Sequence, residues 1–259
     1  MPINKGDIAI VGSGNVATHL AQALRHRLCA VFSRNILHAN ELAEPLGVLS
    51  SDDYSELTKL KPDIIIISVA DHAVADIVSA IGRLDYSPLV LHTSGTLTKE
   101  TLSTISDRSG ILYPLLTFSK GCPVDMSKVP FFTEASNPTD LEIVDGIAKT
   151  ISPTVNHADE AHRRVLHVAG VFTSNFTNII LDSVERLLSN AGYSLDVVKP
   201  LLEATAAKAF EVGPRAAQTG PARRGDYAVI ARQEASLPDD LRPVYKALTD
   251  LILNIYHNK

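Results

Sequence analysis

The first half of the chain switches repeatedly between two hydrophobic periods. Ile8-Ala9-Ile10-Val11 is apolar at every position, as a strand buried on both faces of a parallel sheet requires. In the next segment Ala17, Leu20, Ala21 and Leu24 recur at helical spacing on one face. A second strand, LCAVF, follows at 28–32. NELAEPLG predicts a helix ending at Gly47, and DDYSELTKLKPD another, closed by Pro62. IIIISVAD, from Ile64, opens as a strand, AVADIVSAIG follows as a helix, and LVLHTSG is the next strand. GILYPLLTFSK and VPFFTEAS supply later strands, with PTDLEIVDGIAKTIS as a helix. Strands alternating with helices predict a doubly wound α/β domain.

From about Asn156 the pattern changes and no strand signal follows. Residues 159–192 read as one long helix that ends at Gly192, with a middle apolar almost all round. Such a middle predicts burial against other helices or a partner subunit. Ser194 is the expected N-cap of the next helix, which stops at Gly213-Pro214. DDLRPVYKALTDLILNIY closes the chain as a helix. The expected organisation is an α/β domain over 1–155 and an all-α domain over 156–259.

Composition narrows the class. The chain has 259 residues, 45% hydrophobic and 20% charged, as in ordinary globular proteins. A net charge of −5 argues against a nucleic-acid partner. No apolar run approaches the roughly 18 residues that span a bilayer, and the N-terminal run is too short and glycine-rich for a signal peptide. Cys29 and Cys122 make neither a disulfide framework nor a metal cluster, and Cys29 reads as a buried small hydrophobe. A cytoplasmic location is expected.

The first strand runs into Gly12-Ser13-Gly14-Asn15-Val16-Ala17. Gly12 permits the tight turn, Gly14 lets a pyrophosphate approach the backbone, and Ala17 lets the helix pack on the strand. The helix N-terminus adds free N–H groups and a positive dipole end. A dinucleotide site over Gly12, Ser13, Gly14, Asn15 and Val16 follows. NAD proteins carry Asp or Glu at the end of the second strand. Here that position holds Phe32-Ser33-Arg34-Asn35, with no acid. Ser33 offers a hydrogen bond and Arg34 a bidentate partner for a 2′-phosphate, so NADP is the expected cofactor. Ligands lie at the carboxyl ends of such strands. That places Val69, Ala70 and Asp71, and then His92 and Ser94, beside the cofactor.

The long helix carries His167, Gly170, Ser174, Asn175 and Asn178 near one face, a candidate cleft wall. In TGPARRGD, Arg223 and Arg224 are candidate anion ligands, and Asp226 is a candidate cap for the following helix. HADEAH, with His157, Asp159, Glu160 and His162, lacks the spacing of a metal site, and its acids suit a helix's first turn.

The motifs GSGNVA, VFSRN, HTSGT, YPLLTFSK, PFFTEAS, LHVAGVFTSNFTN and TGPARRGD, in this order, resemble a bacterial family of NADP oxidoreductases. That family joins a Rossmann domain to a C-terminal helical domain of unknown function. Wider relatives are pyrroline-5-carboxylate reductase, deazaflavin-dependent NADP reductase and the 3-hydroxyacid dehydrogenases. The resemblance implies NADP binding and homodimerisation through the helical domain. The hydroxyacid dehydrogenases carry a catalytic Lys four residues before an Asn. If Asn175 is that Asn, the Lys position is Val171. His167, Lys120 and His92 stay open as proton donors. The expected reaction is hydride transfer to a small, anionic carbonyl or imine substrate. The alternative is an NADP-binding protein without turnover.

Overall fold

The computed structural model of the protein describes residues 6–257. The chain parts into two compact units, Met1–Asn175 and Phe176–Lys259.

The first unit is built on one eight-stranded sheet of order β3-β2-β1-β4-β5-β6-β7-β8. Its elements are β1 (Ile8–Val11), α1 (Asn15–Ala23), β2 (Leu28–Phe32), α2 (Ile36–Ala43), β3 (Leu49–Ser51), α3 (Glu56–Leu60), β4 (Ile64–Ile67), α4 (Asp71–Ile81), β5 (Leu89–His92), β6 (Ser109–Pro114), β7 (Phe131–Ala135), α5 (Pro138–Ile151), β8 (Val155–His157) and α6 (Glu160–Gly170). Strands β1 to β6 pair in parallel, β7 runs antiparallel to β6, and β8 pairs parallel with β7. The chain order reverses between β1 and β4, which opens a crevice at their carboxyl ends.

The apolar runs behave as their patterning demands. Every residue of β1, β2, β4 and β5 is buried. One face of the sheet packs Ile8, Ile10, Leu20 and Leu28, and the other packs Ala9, Val11, Ile65 and Ile77. Helix α1 presents Ala17, Leu20 and Ala21 to the sheet at the expected spacing.

Several features depart from the sequence reading. Strand β3 is absent from it, the helix in 52–63 shrinks to the five residues of α3, and β8 forms where no strand is expected. Both missed strands have three residues, too short for alternation to register, and β8 lies at the sheet edge. The long helix is interrupted by a π-helical stretch, Val171–Phe176. In its first third, Val165 and Val168 retain 70% and 55% of their accessible surface in the single chain.

The second unit is helical: α7 (Thr177–Asn190), α8 (Lys199–Val212), α9 (Pro214–Ala217), α10 (Pro221–Arg224), α11 (Tyr227–Ser236) and α12 (Arg242–His257). Gly192 (φ 81°) follows α7 as expected. Asp226 caps α11, accepting the Val229 N–H at 3.2 Å. Ser194 makes no side-chain cap, because a 3₁₀ turn at Leu195–Val198 intervenes before α8.

Candidate functional site

The glycine turn is dictated by two different constraints. Gly12 has φ 124°, and a Cβ there would stand 2.1 Å from the Ser68 carbonyl oxygen. Only glycine fits. At Gly14 a Cβ would meet nothing within 4 Å. The protein's own packing leaves Gly14 unconstrained, and the open space above it fits a pyrophosphate. Helix α1 begins directly after Gly14 with no side-chain cap, so its N-terminus is available to an anion.

A cavity of about 610 Å³ extends from this turn. Gly12 to Val16, Ser33, Arg34, Val69 and Ala70 all line it, so the structure gathers these expected cofactor residues at one place. Asn35, His38 and Tyr54 join them. The Ser33 hydroxyl lies 3.0 Å from that of Ser13, which ties the end of β2 to the turn. Arg34 is exposed at this end, and its charge reaches the buried Tyr54 hydroxyl. The lining suits NADP: a free helix terminus for the pyrophosphate, and a serine and an arginine where the ribose phosphate would be held.

A second cavity, of about 690 Å³, shares Val16, Val69 and Thr93 with the first. Asp71 and Ser94 line this cavity rather than the first. His167, Val171, Ser174 and Asn175 line it too, so the polar face of the long helix does face a cleft. The Tyr113 hydroxyl is 3.4 Å from His167 Nδ1. Burial, with the Asp71 charge second, pushes the Tyr113 phenol above its usual range. Gly95 makes this pair possible, because a Cβ there would stand 2.8 Å from Tyr113 Cζ and 3.0 Å from His167 Nδ1. Thr117 and Ser174 are hydrogen-bonded through their hydroxyls.

His92 lines neither cavity. It is fully buried, its Nδ1 accepts the Ser94 N–H at 3.1 Å, and its Nε2–H donates to the Thr98 carbonyl at 3.1 Å. Both nitrogens are used by one neutral tautomer, and burial lowers the imidazole pKa to about 4. This histidine shapes the loop that carries Ser94 and Gly95. Lys120 lines a separate cavity of about 210 Å³ with Thr18 and Glu41. Val171, which takes the lysine position if Asn175 is the matching Asn, lines the second cavity.

Two contributors escape the sequence reading. Tyr113 stands near the carboxyl end of β6, and the strand-end rule that selected Asp71 and Ser94 would have found it. Arg163 carried no signal. It is fully buried, ion-paired with Glu134, and donates to the carbonyls of Ala158 at 2.8 Å and Leu97 at 3.0 Å. Lys99 pairs with the same Glu134 at 2.5 Å. The network anchors α6 one turn before His167. Elsewhere, Asp159 caps α6 by accepting the His162 N–H at 2.9 Å. In the second unit the Arg223 guanidinium lies over the Tyr256 ring, 4.3 Å from its centre.

A parallel sheet with a glycine turn at its reversal point and two joined cavities defines a Rossmann-type oxidoreductase architecture. Residues 7–93 match the model described as NADP oxidoreductase, coenzyme F420-dependent, and residues 129–252 match Domain of unknown function (DUF2520). A crystal structure of a "putative NADP oxidoreductase" from Bacteroides fragilis is 36% identical, with TM-score 0.88 over 96% of this chain and 99% of that one. The chain belongs to this family, in which an NADP oxidoreductase domain is joined to a DUF2520 domain. A reductive aminase from Aspergillus terreus, in complex with NADPH and ethyl-5-oxohexanoate, has TM-score 0.69 at 16% identity, over 96% of this chain and 94% of that one. A pyrroline-5-carboxylate reductase from Coxiella burnetii has TM-score 0.57 at 17% identity, over 98% of both chains. These two likenesses are of fold. No curated protein matches the sequence. Among the described residues, no helix is long and apolar enough to cross a membrane.

Proposed function

We propose that the protein reduces a C=N or C=O carbon of a small molecule with NADPH. The observation that carries this reading is the junction of the two cavities at Val16, Val69 and Thr93, with Tyr113 and His167 in the second. Gly12 to Val16 hold the pyrophosphate, and Ser33 and Arg34 hold the ribose phosphate. The bound cofactor supplies the hydride. The Tyr113–His167 pair holds a proton beside the heteroatom of the reacting bond, and Ser174 and Asn175 orient the substrate. Lys120 is a less favoured proton source, since it lines another cavity. An anionic substrate would need Arg223 or Arg224, which belong to the second unit.

The division of labour is cofactor binding by 1–155, and substrate binding and homodimerisation by 156–259, in a cytoplasmic protein. Exposed Val165, Val168, Leu201 and Phe210 support a helical subunit interface. The resemblance favours a second reading, NADP binding without turnover: if Asn175 is the Asn that follows the lysine of the hydroxyacid dehydrogenases, Val171 takes the lysine's place. The two readings separate on NADPH oxidation over a panel of ketones, keto acids and cyclic imines. Turnover of any member supports the enzyme. Tight NADPH binding, seen as a raised melting temperature, without turnover across the panel overturns it.

A further inference from the structure

The charge of the second cavity is uneven. Among the described residues that line it, Asp71 is the one acidic side chain, and no Lys or Arg is present. The remaining polar lining is neutral or titratable: the hydroxyls of Thr93, Ser94, Thr117 and Tyr113, the Asn175 amide and the His167 imidazole among them. Asp71 opens α4, where β4 delivers it to the crevice. Its carboxylate accepts a hydrogen bond from the Thr96 hydroxyl, which fixes it at the cavity wall. Its field reaches the Tyr113 hydroxyl and His92. A carboxylate or phosphate entering this cavity would meet Asp71 with no countercharge from the lining. A cation would meet Asp71, hydroxyl oxygens and the Tyr113 ring.

We infer that the second cavity selects a cationic substrate, an iminium ion, and releases the corresponding amine. The inference rests on the reading of this cavity as the substrate site. The reaction balances without a further reagent. The iminium carbon takes a hydride, with its two electrons, from the reduced nicotinamide. The C=N π pair moves onto nitrogen as the new C–H bond forms, which neutralises the nitrogen. The resulting amine takes one proton from water, directly or through the Tyr113–His167 pair, and leaves as ammonium. Asp71 favours the protonated form of the imine, the form that accepts hydride, and opposes carboxylate competitors.

The test is binding rather than turnover. Piperidinium and cyclohexanecarboxylate are titrated calorimetrically into the full chain saturated with NADP⁺, at neutral pH. Piperidinium is expected to bind about tenfold tighter than the carboxylate. Asp71→Asn is expected to abolish that preference with the NADP⁺ affinity unchanged, and Asp71→Glu to restore part of it. Added salt should weaken piperidinium binding to the unaltered chain and leave neutral cyclohexanol unaffected, a measurement that needs no variant. Equal or tighter carboxylate binding, failure of piperidinium to bind, or a preference that survives Asp71→Asn overturns the inference while NADP⁺ still binds. A chain that fails to bind NADP⁺ overturns the underlying reading instead.

Discussion

The Tyr113 hydroxyl lies 3.4 Å from His167 Nδ1, joining the end of β6 to α6 above Gly95. Such a pair can pass a proton to a reacting heteroatom, a contribution of about 10²–10⁴ in rate. Tyr113→Phe is therefore expected to lower kcat about 10²-fold, and His167→Ala by a similar factor. The double variant should lose little more than the worse single one, because the two act as a unit. Steady-state rates, with NADPH affinity measured separately and unchanged, check this.

The two glycines of the turn separate folding from binding. Gly12→Ala combines a positive φ with a contact to the Ser68 carbonyl, and is expected to cost about 2–4 kcal/mol of stability. Gly14→Ala faces open space and should stay within about 1 kcal/mol of the parent. It should nevertheless weaken NADPH binding, because the new methyl occupies the pyrophosphate's place. Urea unfolding and NADPH titration of both variants make the comparison.

On the proposed function, Arg34 sets the cofactor choice from its place in the lining of the first cavity. Arg34→Ala is expected to cut the preference for NADPH over NADH by about tenfold to a hundredfold, the loss of a charge-assisted phosphate contact. An unmoved ratio of the two affinities would show that Arg34 does not read the phosphate.

His92 makes stability pH-dependent. The folded chain keeps it neutral down to about pH 4, whereas its ordinary value is 6.5. Between those values the unfolded chain binds the extra proton, so stability falls as pH drops through this window and is unaffected above it. The full loss is about 3 kcal/mol. His92→Gln, which keeps a donor and an acceptor, should flatten the slope in urea unfolding across the window.

The legible parts of this protein are those where burial leaves no choice. Ile64 to Ile67 are apolar throughout because sheet and helices enclose them, so β4 and the residues at its end could be read directly. β3 and β8 could not, since three residues carry no period. The first cavity is local in sequence, and its lining was readable: Gly12 to Val16 and Ser33-Arg34 are brought together by one strand-turn-helix unit and its neighbour. The second cavity is assembled from β5, β6 and α6, which are remote in sequence: Tyr113 was within reach of the strand-end rule, but Arg163 had no local signature. His92 looked like a titrating group near neutrality, and only its burial shows otherwise. Lys120 failed to join His167 because its place depends on the path of the segment between β6 and β7.

The π-helical stretch Val171–Phe176 has a further consequence. A helix advances about 100° per residue, and a π turn accommodates one residue more than an α turn. Removing one residue there would leave the polypeptide helical yet change the angular phase of Thr173, Ser174 and Asn175 along the wall of the second cavity. The dinucleotide end, built from β1 and β2, would not change. Length variation at this single locus would thus re-phase the wall of the second cavity while leaving the first unaltered, and on the proposed function would reach new specificities by insertion or deletion rather than by point substitution.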